Sequence, residues 1–105
     1  MVKSEKFREI ALSFPQTEEL PHFEKTSFRI NKKIFATLSP DKNRACIKLS
    51  ESDQYAFCAF DETMIYPVNN KWGLQGWTNF DLSKMKKTTM IDALTTAFYT
   101  VSKPK

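Results

Sequence analysis

Residues 26–49 have the sequence TSFRINKKIFATLSPDKNRACIKL, in which apolar and polar side chains alternate as they do in half-buried β-strands. Two short polar segments interrupt the alternation, Asn31-Lys32-Lys33 and Pro40-Asp41-Lys42-Asn43. Loops of three and four residues are common in β-hairpins. The pattern therefore predicts three consecutive antiparallel strands joined by two tight hairpin loops.

These loop lengths place apolar side chains opposite one another on one face of the sheet. The expected pairs are Ile30 with Ile34, Phe28 with Ala36, Leu38 with Ala45, Ala36 with Ile47, and Ile34 with Leu49. A register shifted by one residue would put Lys33 on the apolar face, because such a slip moves every side chain of a strand to the other side. The opposite face is expected to carry Ser27, Arg29, Phe35, Thr37, Cys46 and Lys48, with Arg29, Phe35 and Lys48 in one row.

A helix is predicted before this stretch. Its apolar stripe is Phe7, Ile10, Ala11 and Phe14, which have helical spacing. Pro15 disfavours helical backbone at the preceding residue, so this helix should end near Ser13. Residues 16–21 are interpreted as a polar connection to the first strand.

Two further helices are predicted after the hairpins. Ser50 and Asp53 have capping-box spacing at the start of a helix that should run to about Phe60. Thr89 and Asp92 have the same spacing at the start of a C-terminal helix. The apolar stripe of that last helix is Ile91, Leu94, Phe98 and Val101.

Two more strands are predicted between these helices. Residues 64–66 form a short apolar segment that Pro67 confines to the edge of a sheet. Residues 77–82 alternate again and are interpreted as the last strand. A sheet of about five strands results.

The segment between those two strands, residues 71–78 (KWGLQGWT), holds both tryptophans and the only two glycines of the chain. Gly73 and Gly76 allow a positive φ angle or the close approach of another backbone segment. The segment is interpreted as a structural corner with Trp77 filling the core. The alternative is a loop that presents Trp72 and Lys71 to a ligand.

The composition fits one folded domain over residues 1–105. Hydrophobic residues make up 41% of the chain and aromatic residues 13%, as in globular proteins, and the formal net charge is +4. No apolar run reaches the length of a membrane span, and the N-terminus enters directly into a charged amphipathic pattern. We therefore expect no membrane partner and a cytoplasmic location.

Few residues have the chemistry of a catalytic or metal site. His22 is the single histidine, and Cys46 and Cys58 are isolated thiols without metal-type spacing. A pair of either thiol with His22 is possible on composition, but no nucleophile motif accompanies it. Neither glycine belongs to a phosphate-binding loop. The sequence predicts no catalytic residues, no metal and no cofactor, and hence a protein that is not an enzyme.

Basic residues at the hairpin tips suggest nucleic acid as a ligand. Each tip carries two of them, and exposed lysines suit backbone phosphates. The predicted row of Arg29, Phe35 and Lys48 could stack on or clamp an unpaired base. The residues of this hypothesis are Arg29, Lys32, Lys33, Lys42, Arg44 and Lys48.

The aromatic residues allow two interpretations. Phe35, Trp72 and Trp77 either form a second, buried minicore or leave an exposed aromatic face. An exposed face would suit a module that binds a protein or a small molecule.

Six short motifs, taken in order, resemble the MmcQ/YjbR-like family. They are Leu12-Ser13-Phe14-Pro15, Ser27-Phe28-Arg29-Ile30, Lys33-Ile34-Phe35-Ala36, Ile47-Lys48-Leu49, Gly76-Trp77-Thr78 and Ala97-Phe98-Tyr99. The resemblance covers nearly the whole chain. It implies an α+β, two-layer fold in which a small antiparallel sheet packs with N-terminal, middle and C-terminal helices, similar to the frataxin-like arrangement. It also implies DNA binding by a "double wing" of hairpins, which we expect to be weak and sequence-independent.

The frataxin-like arrangement raises iron as a ligand, which needs a ridge of carboxylates because hard cations take oxygen ligands. The first helix offers only Glu5 and Glu9, interleaved with Lys6 and Arg8. The iron role is therefore not carried over to this chain.

Overall fold

A computed structural model of the chain describes residues 2–22 and 25–102. In chain order the elements are α1 (Ser4–Leu12), β1 (Thr17–His22), β2 (Lys25–Ile30), β3 (Lys33–Ser39), β4 (Arg44–Lys48), α2 (Glu51–Phe60), β5 (Ile65–Pro67), α3 (Lys71–Leu74), β6 (Trp77–Asp81) and α4 (Lys87–Ser102). Short 3-10 turns, Pro40–Lys42 and Leu82–Lys84, follow β3 and β6.

The described strands form one antiparallel sheet in the order β1-β2-β3-β4-β6-β5. Helices α1, α2 and α4 cover one face. Aromatic contacts across this interface join Phe7 of α1 to Phe28, and Phe57 of α2 to Phe80. We call this side the helix face and the other side the open face, which the short α3 segment overhangs. The expected α+β two-layer fold is confirmed, with six strands in place of about five.

The core lies between the sheet and the three long helices. Its largest fully buried side chains are Phe7, Phe28, Phe35, Phe80, Leu38, Ile47, Leu49, Ile65, Leu82, Met85, Met90 and Leu94. The C-terminal helix contributes most of its predicted stripe, since Leu94 and Phe98 are buried and Ile91 and Val101 pack against the core. Burial of this apolar surface is the main favourable term in the stability of the fold.

The predicted register is correct between β3 and β4 and in the half of the β2–β3 hairpin that lies away from its turn. It is wrong next to that turn. Phe28 pairs with Ala36, Ala36 with Ile47, and Leu38 with Ala45, as expected. Arg29, however, pairs with Ile34, and Ile30 with Lys33, because a β-bulge interrupts the ladder between Phe28 and Arg29.

The cause is a turn one residue shorter than predicted. Only Asn31 and Lys32 form it, with φ angles of 51° and 68°, and two positive φ angles are typical of a two-residue type I′ hairpin turn. The shorter turn shifts the start of β3 by one position, and Phe35 is the extra residue that restores the register. Phe35 therefore points to the helix face and Ile34 to the open face, the reverse of the prediction.

Two other boundaries differ from the predictions. Most of residues 16–21 belong to strand β1, which pairs along its full length with β2 at the sheet edge. Residues 17–20 (TEEL) do not alternate between apolar and polar as a half-buried strand does, so backbone pairing rather than sequence pattern defines this strand. Helix α4 begins at Lys87, ahead of the predicted cap at Thr89. Helix α2 begins as predicted, since the Ser50 side chain accepts a hydrogen bond from the Asp53 amide.

The segment around the two glycines forms a corner between β5 and β6, as predicted. The Leu49 amide donates a hydrogen bond of 2.9 Å to the carbonyl of Gly76, whose φ angle is 104°. Trp77 does not fill the core. It pairs with Lys48 and lies half-buried on the open face, because alternation along β6 sends Thr78 and Phe80 to the helix face instead.

Candidate functional site

A cleft of about 490 Å³ lies on the open face of the sheet. Its floor comes from the central strands β3, β4 and β6, and one wall comes from the α3 segment. The lining residues are Lys25, Ile34, Thr37, Arg44, Cys46, Val68, Asn70, Trp72, Trp77 and Asn79.

The floor of the cleft changes from cationic to aromatic along the strands. Arg44 lies at one end of β4, in register with Ser39 on one side and Asp81 on the other. Cys46 follows, between Thr37 and Asn79. At the far end Trp77 lies on β6 opposite Lys48. The four residue steps from Arg44 to Lys48 span about 13 Å of strand.

The wall of the cleft is Trp72, whose side chain remains 49% exposed. The Asn70 side chain caps α3 by accepting a hydrogen bond of 2.8 Å from the Trp72 amide. The Lys71 ammonium lies 5.9 Å from the centre of the Trp72 ring. The cap and the packing of Gly73 against the Val68 backbone hold Trp72 at the edge of the cleft.

Helix α2, on the helix face, holds the α3 segment that forms this wall in place through one side chain. The Gln54 side-chain amide donates to the carbonyl oxygen of Gly73 at 2.9 Å and to the hydroxyl of Thr78 at 3.1 Å. A longer contact of 3.3 Å reaches the carbonyl of Trp77. One side chain therefore connects α2 to both tryptophan-bearing segments.

Two of the predicted cations, Lys48 and Arg29, form hydrogen bonds within the protein. The Lys48 ammonium donates a hydrogen bond to the carbonyl of Gln75 and lies 6.0 Å from the centre of the Trp77 ring. Burial lowers the pKa of Lys48. Arg29 donates to the hydroxyl of Ser27 at 3.0 Å. Lys48 thus supports the aromatic end of the cleft, whereas Arg44, together with Lys25, lines the cleft itself.

The thiol on the cleft floor is protonated at neutral pH. Burial raises the pKa of Cys46 to about 11, although the positive charges of Lys25 and Arg44 lower it in part. Burial, aided by the negative charge of Glu62, also raises the pKa of Cys58, which lies on α2 and packs against the core. The thiolate is the nucleophilic form, so neither environment activates a cysteine.

The basic hairpin tips lie at opposite ends of the sheet. Lys32 is exposed in the turn before β3, Lys33 is exposed as the first residue of β3, and Lys42 is exposed in the turn after β3. The seven residues of β3 separate these turns by about 23 Å. The two tips therefore form two separate basic surfaces rather than one.

Of the three predicted aromatic residues, the structure brings two together. Trp72 and Trp77 both line the cleft, whereas Phe35 is fully buried against Phe98 and Phe14. Two predictions are therefore wrong, because the bulge turns Phe35 toward the helices. One is the minicore of all three aromatic residues, and the other is the row of Arg29, Phe35 and Lys48 on the open face.

Several residues of the cleft were not predicted from the sequence. Lys25 alternates with Ser27 and Arg29 along β2, so period-two alternation could have placed it on the open face. Alternation could not have placed Ile34 in the cleft, because the bulge puts its side chain on the open face instead of the helix face. Asn70 and Asn79 were overlooked because single asparagines are common in turns and strand ends.

Charge is divided unevenly between the two sides of the protein. The basic residues on or beside the open face are Lys25, Arg29, Arg44, Lys48 and Lys71, against the carboxylates Glu18 and Asp81. Most other acidic residues lie on or between the helices. Both ion pairs found in residues 2–22 and 25–102, Lys6–Glu9 and Arg8–Glu19, involve α1. The open face is the more positive of the two.

Other site types find no support in the described ranges. Residues 2–22 and 25–102 contain no group of three histidine, cysteine, aspartate or glutamate side chains placed to hold a metal ion. No helix in the same ranges has the length and apolar character needed to cross a bilayer. His22 ends β1 rather than lying in a loop, and its side chain lies outside the described part.

The fold and the cleft define a class: a small α+β domain whose sheet is covered by helices on one face and carries an aromatic, cation-lined cleft on the other. The family model YjbR matches residues 12–100, and the chain belongs to that family. The fold is similar to the crystal structure of Deinococcus radiodurans protein DR2400, of the DUF419 family, with a TM-score of 0.84. The two chains are 17% identical, and the match covers 98% of this chain and 80% of that one. A search of curated proteins found no match.

Proposed function

We propose that this protein is a non-enzymatic domain that binds DNA weakly and without sequence preference, through the open face of its sheet. One observation carries the proposal: the cleft places two tryptophans and two cations, Lys25 and Arg44, on the same surface. Stacking of bases on aromatic rings beside a basic groove is how proteins bind single strands without reading sequence. We therefore expect unpaired DNA to bind more tightly than duplex.

The charges of the open face support phosphate contacts. Arg44 and Lys25 are free of ion pairs to any described carboxylate, and Asp81, the neighbour of Arg44 in register, accepts hydrogen bonds from Ser83 at 2.6 and 3.0 Å. Phosphate contacts carry no sequence information. The hairpin tips add further charge at the two ends of the face, where they extend the path of a strand.

We also propose that this domain does not act as an enzyme. Among the described residues, no side chain that lines the cleft is a carboxylate or a histidine, and the Cys46 thiol is protonated at neutral pH. Carboxylates, histidines and thiolates are the groups that general acid–base and nucleophilic catalysis use most often.

A second candidate is a module that binds a small molecule or a protein with the same aromatic surface. The cleft volume of about 490 Å³ favours it, since small-ligand sites typically measure 300–1,000 Å³. This candidate predicts binding that depends on Trp72 and is insensitive to the basic residues at the tips.

Fluorescence anisotropy with a labelled twelve-nucleotide single strand and its duplex, at several salt concentrations, tests the proposal. With three or four phosphate contacts, log K for the single strand should fall against log salt with a slope of roughly −2 to −3. The double variant Lys25→Gln/Arg44→Gln should reduce the magnitude of that slope by about 1.4, because each lost contact removes about 0.7. Trp72→Leu should weaken binding with the slope unchanged.

The matched control is Lys86→Gln/Lys87→Gln, which removes two exposed charges at the start of α4, outside the open face. It should leave the slope within about 0.3 of the wild type, since it removes no phosphate contact. Absence of binding to either DNA at low salt would contradict the proposal. An equal effect of the control and the cleft variant would show non-specific attraction to a basic protein instead.

A further inference from the structure

We infer that the cleft is a site for one nucleotide unit, with its phosphate at Lys25 and Arg44 and its base at Trp72 and Trp77. The inference rests on the proposed function, because it specifies what the open face holds. A free mononucleotide and one unpaired nucleotide of a strand share this chemistry, and the experiment below separates the two sources.

The cationic end of the cleft suits a phosphate. Arg44 offers a planar guanidinium that can donate two parallel hydrogen bonds to phosphate oxygens, and Lys25 supplies a second positive charge across the same end. Ser39 lies in register with Arg44. Asp81, the carboxylate in register with Arg44, forms no ion pair with it, and its Oδ1 atom accepts hydrogen bonds from Ser83.

The other end suits an aromatic ring. Trp77 forms part of the floor, and Lys48 beside it holds a positive charge 6.0 Å from the ring centre. Trp72 rises from the wall formed by the α3 segment, and Ile34 and Val68 complete an apolar surface around them. A base placed here can stack on an indole ring while its sugar points along β4 toward Arg44.

One nucleotide joins the two ends of the cleft when the Arg44 and Lys25 side chains extend toward the aromatic end. Arg44 and the aromatic row are separated by about 13 Å of strand, and the flexible side chains of Arg44 and Lys25 shorten that gap. Between them, Thr37 and Asn79 provide a hydroxyl and an amide on the floor. These groups can meet the sugar or the edge of a base without discriminating strongly among bases.

Tryptophan fluorescence reports this site directly, because the only two tryptophans of the chain both line the cleft. The probes are deoxyadenosine monophosphate, deoxyadenosine, inorganic phosphate and an oligodeoxyadenylate of eight nucleotides. We expect the monophosphate to quench emission saturably and to bind about tenfold more tightly than the nucleoside, since the phosphate adds charge-assisted hydrogen bonds. Inorganic phosphate should compete with the monophosphate without quenching.

Variants assign the two ends of the cleft. Lys25→Gln/Arg44→Gln should remove the advantage of the monophosphate over the nucleoside, while the nucleoside still quenches. Trp72→Leu should weaken both ligands by a similar factor. The control Lys86→Gln/Lys87→Gln should change neither. Circular dichroism of each variant verifies that the domain is folded.

The outcomes separate this inference from the proposed function. Saturable binding of the monophosphate with no gain for the oligomer supports the site and identifies a free nucleotide as its ligand, against the DNA proposal. Tighter binding of the oligomer, with the same dependence on Arg44 and Trp72, supports both. Binding of the oligomer with no quenching by the monophosphate or the nucleoside, or equal affinities for these two in the wild type, would overturn the inference and leave DNA binding in place.

Discussion

The carbonyl oxygen of Leu49 occupies the position where a side chain on Gly76 would begin. A Cβ atom built on Gly76 would lie 1.8 Å from that oxygen, far inside van der Waals contact. The two residues also share a backbone hydrogen bond of 2.9 Å from the Leu49 amide to the Gly76 carbonyl. The end of β4 and the start of β6 are therefore joined by direct backbone contact, which requires glycine at this position.

Replacing Gly76 with valine should strongly destabilise the domain. The substitution combines a backbone clash with a φ angle of 104°, which side-chain-bearing residues rarely adopt, so we expect a loss of about 3 kcal/mol or more in the free energy of unfolding. Urea denaturation measures it. Leu74→Ala, two residues earlier and 86% exposed, is the matched control and should change stability by less than about 0.5 kcal/mol. A wild-type denaturation midpoint for the valine variant would contradict the prediction.

The β-bulge predicts that truncating Phe35 destabilises the domain much more than truncating the adjacent Ile34. Phe35→Ala should lower the free energy of unfolding by about 3–5 kcal/mol, because the ring is fully buried against Phe14 and Phe98. Ile34→Ala should cost only about 1 kcal/mol, since this side chain is half-buried on the open face. Chemical denaturation of both variants tests the difference. A larger loss in the free energy of unfolding for Ile34→Ala than for Phe35→Ala would contradict the bulge and support the register without it.

The fold was predictable where the side-chain pattern is strong. Alternation fixed the pairing of Phe28 with Ala36 and of Leu38 with Ala45, because a slip would have buried a lysine. Pattern could not reveal β1, whose stability comes from backbone pairing with β2. Nor could it reveal the bulge, because the asparagine-lysine turn lacks the glycine that usually marks a two-residue hairpin.

Gln54 should stabilise the glycine corner and the wall of the cleft. Gln54→Met keeps the shape of the side chain but removes its hydrogen bonds to Gly73 and Thr78. The expected loss in the free energy of unfolding is about 1 kcal/mol, because the Gly73 carbonyl keeps a second donor, the Gly76 amide at 3.1 Å. Acrylamide should also quench Trp72 more readily, as measured in a Trp77→Phe background. Gln75→Met, on an exposed residue nearby, is the control and should change neither quantity. Equal quenching in both variants would contradict this role.

The candidate site was only partly predictable. Arg44, Trp72 and Trp77 were all identified from sequence, since arginine and tryptophan carry much of the chemistry of binding surfaces. Their convergence with Lys25 also depends on the sheet order beyond the hairpins, which places β6 beside β4 and brings the α3 segment over the open face. No local pattern encodes that order. The tips were predicted as basic turns at the ends of the sheet, and the structure places them there.

The Cys46 thiol should react slowly with iodoacetamide in the folded protein and faster as the pH rises toward 11. Burial raises its pKa from 9.0 to about 11, and only the thiolate reacts. In a Cys58→Ala background, the folded protein should therefore react roughly a hundredfold more slowly at pH 8 than the same chain in denaturant. Its rate should increase about tenfold per pH unit up to pH 10 and level off near pH 11.

The same reaction tests the charges beside the thiol. Lys25 and Arg44 lower the pKa of Cys46 against the effect of burial. Lys25→Gln/Arg44→Gln should therefore raise the pKa further and slow alkylation at any pH below the plateau, whereas Lys86→Gln/Lys87→Gln should not. A folded protein whose rate levels off near pH 9 would show that water reaches the cleft floor freely. An unchanged rate in the cleft variant would show that these cations do not act on Cys46.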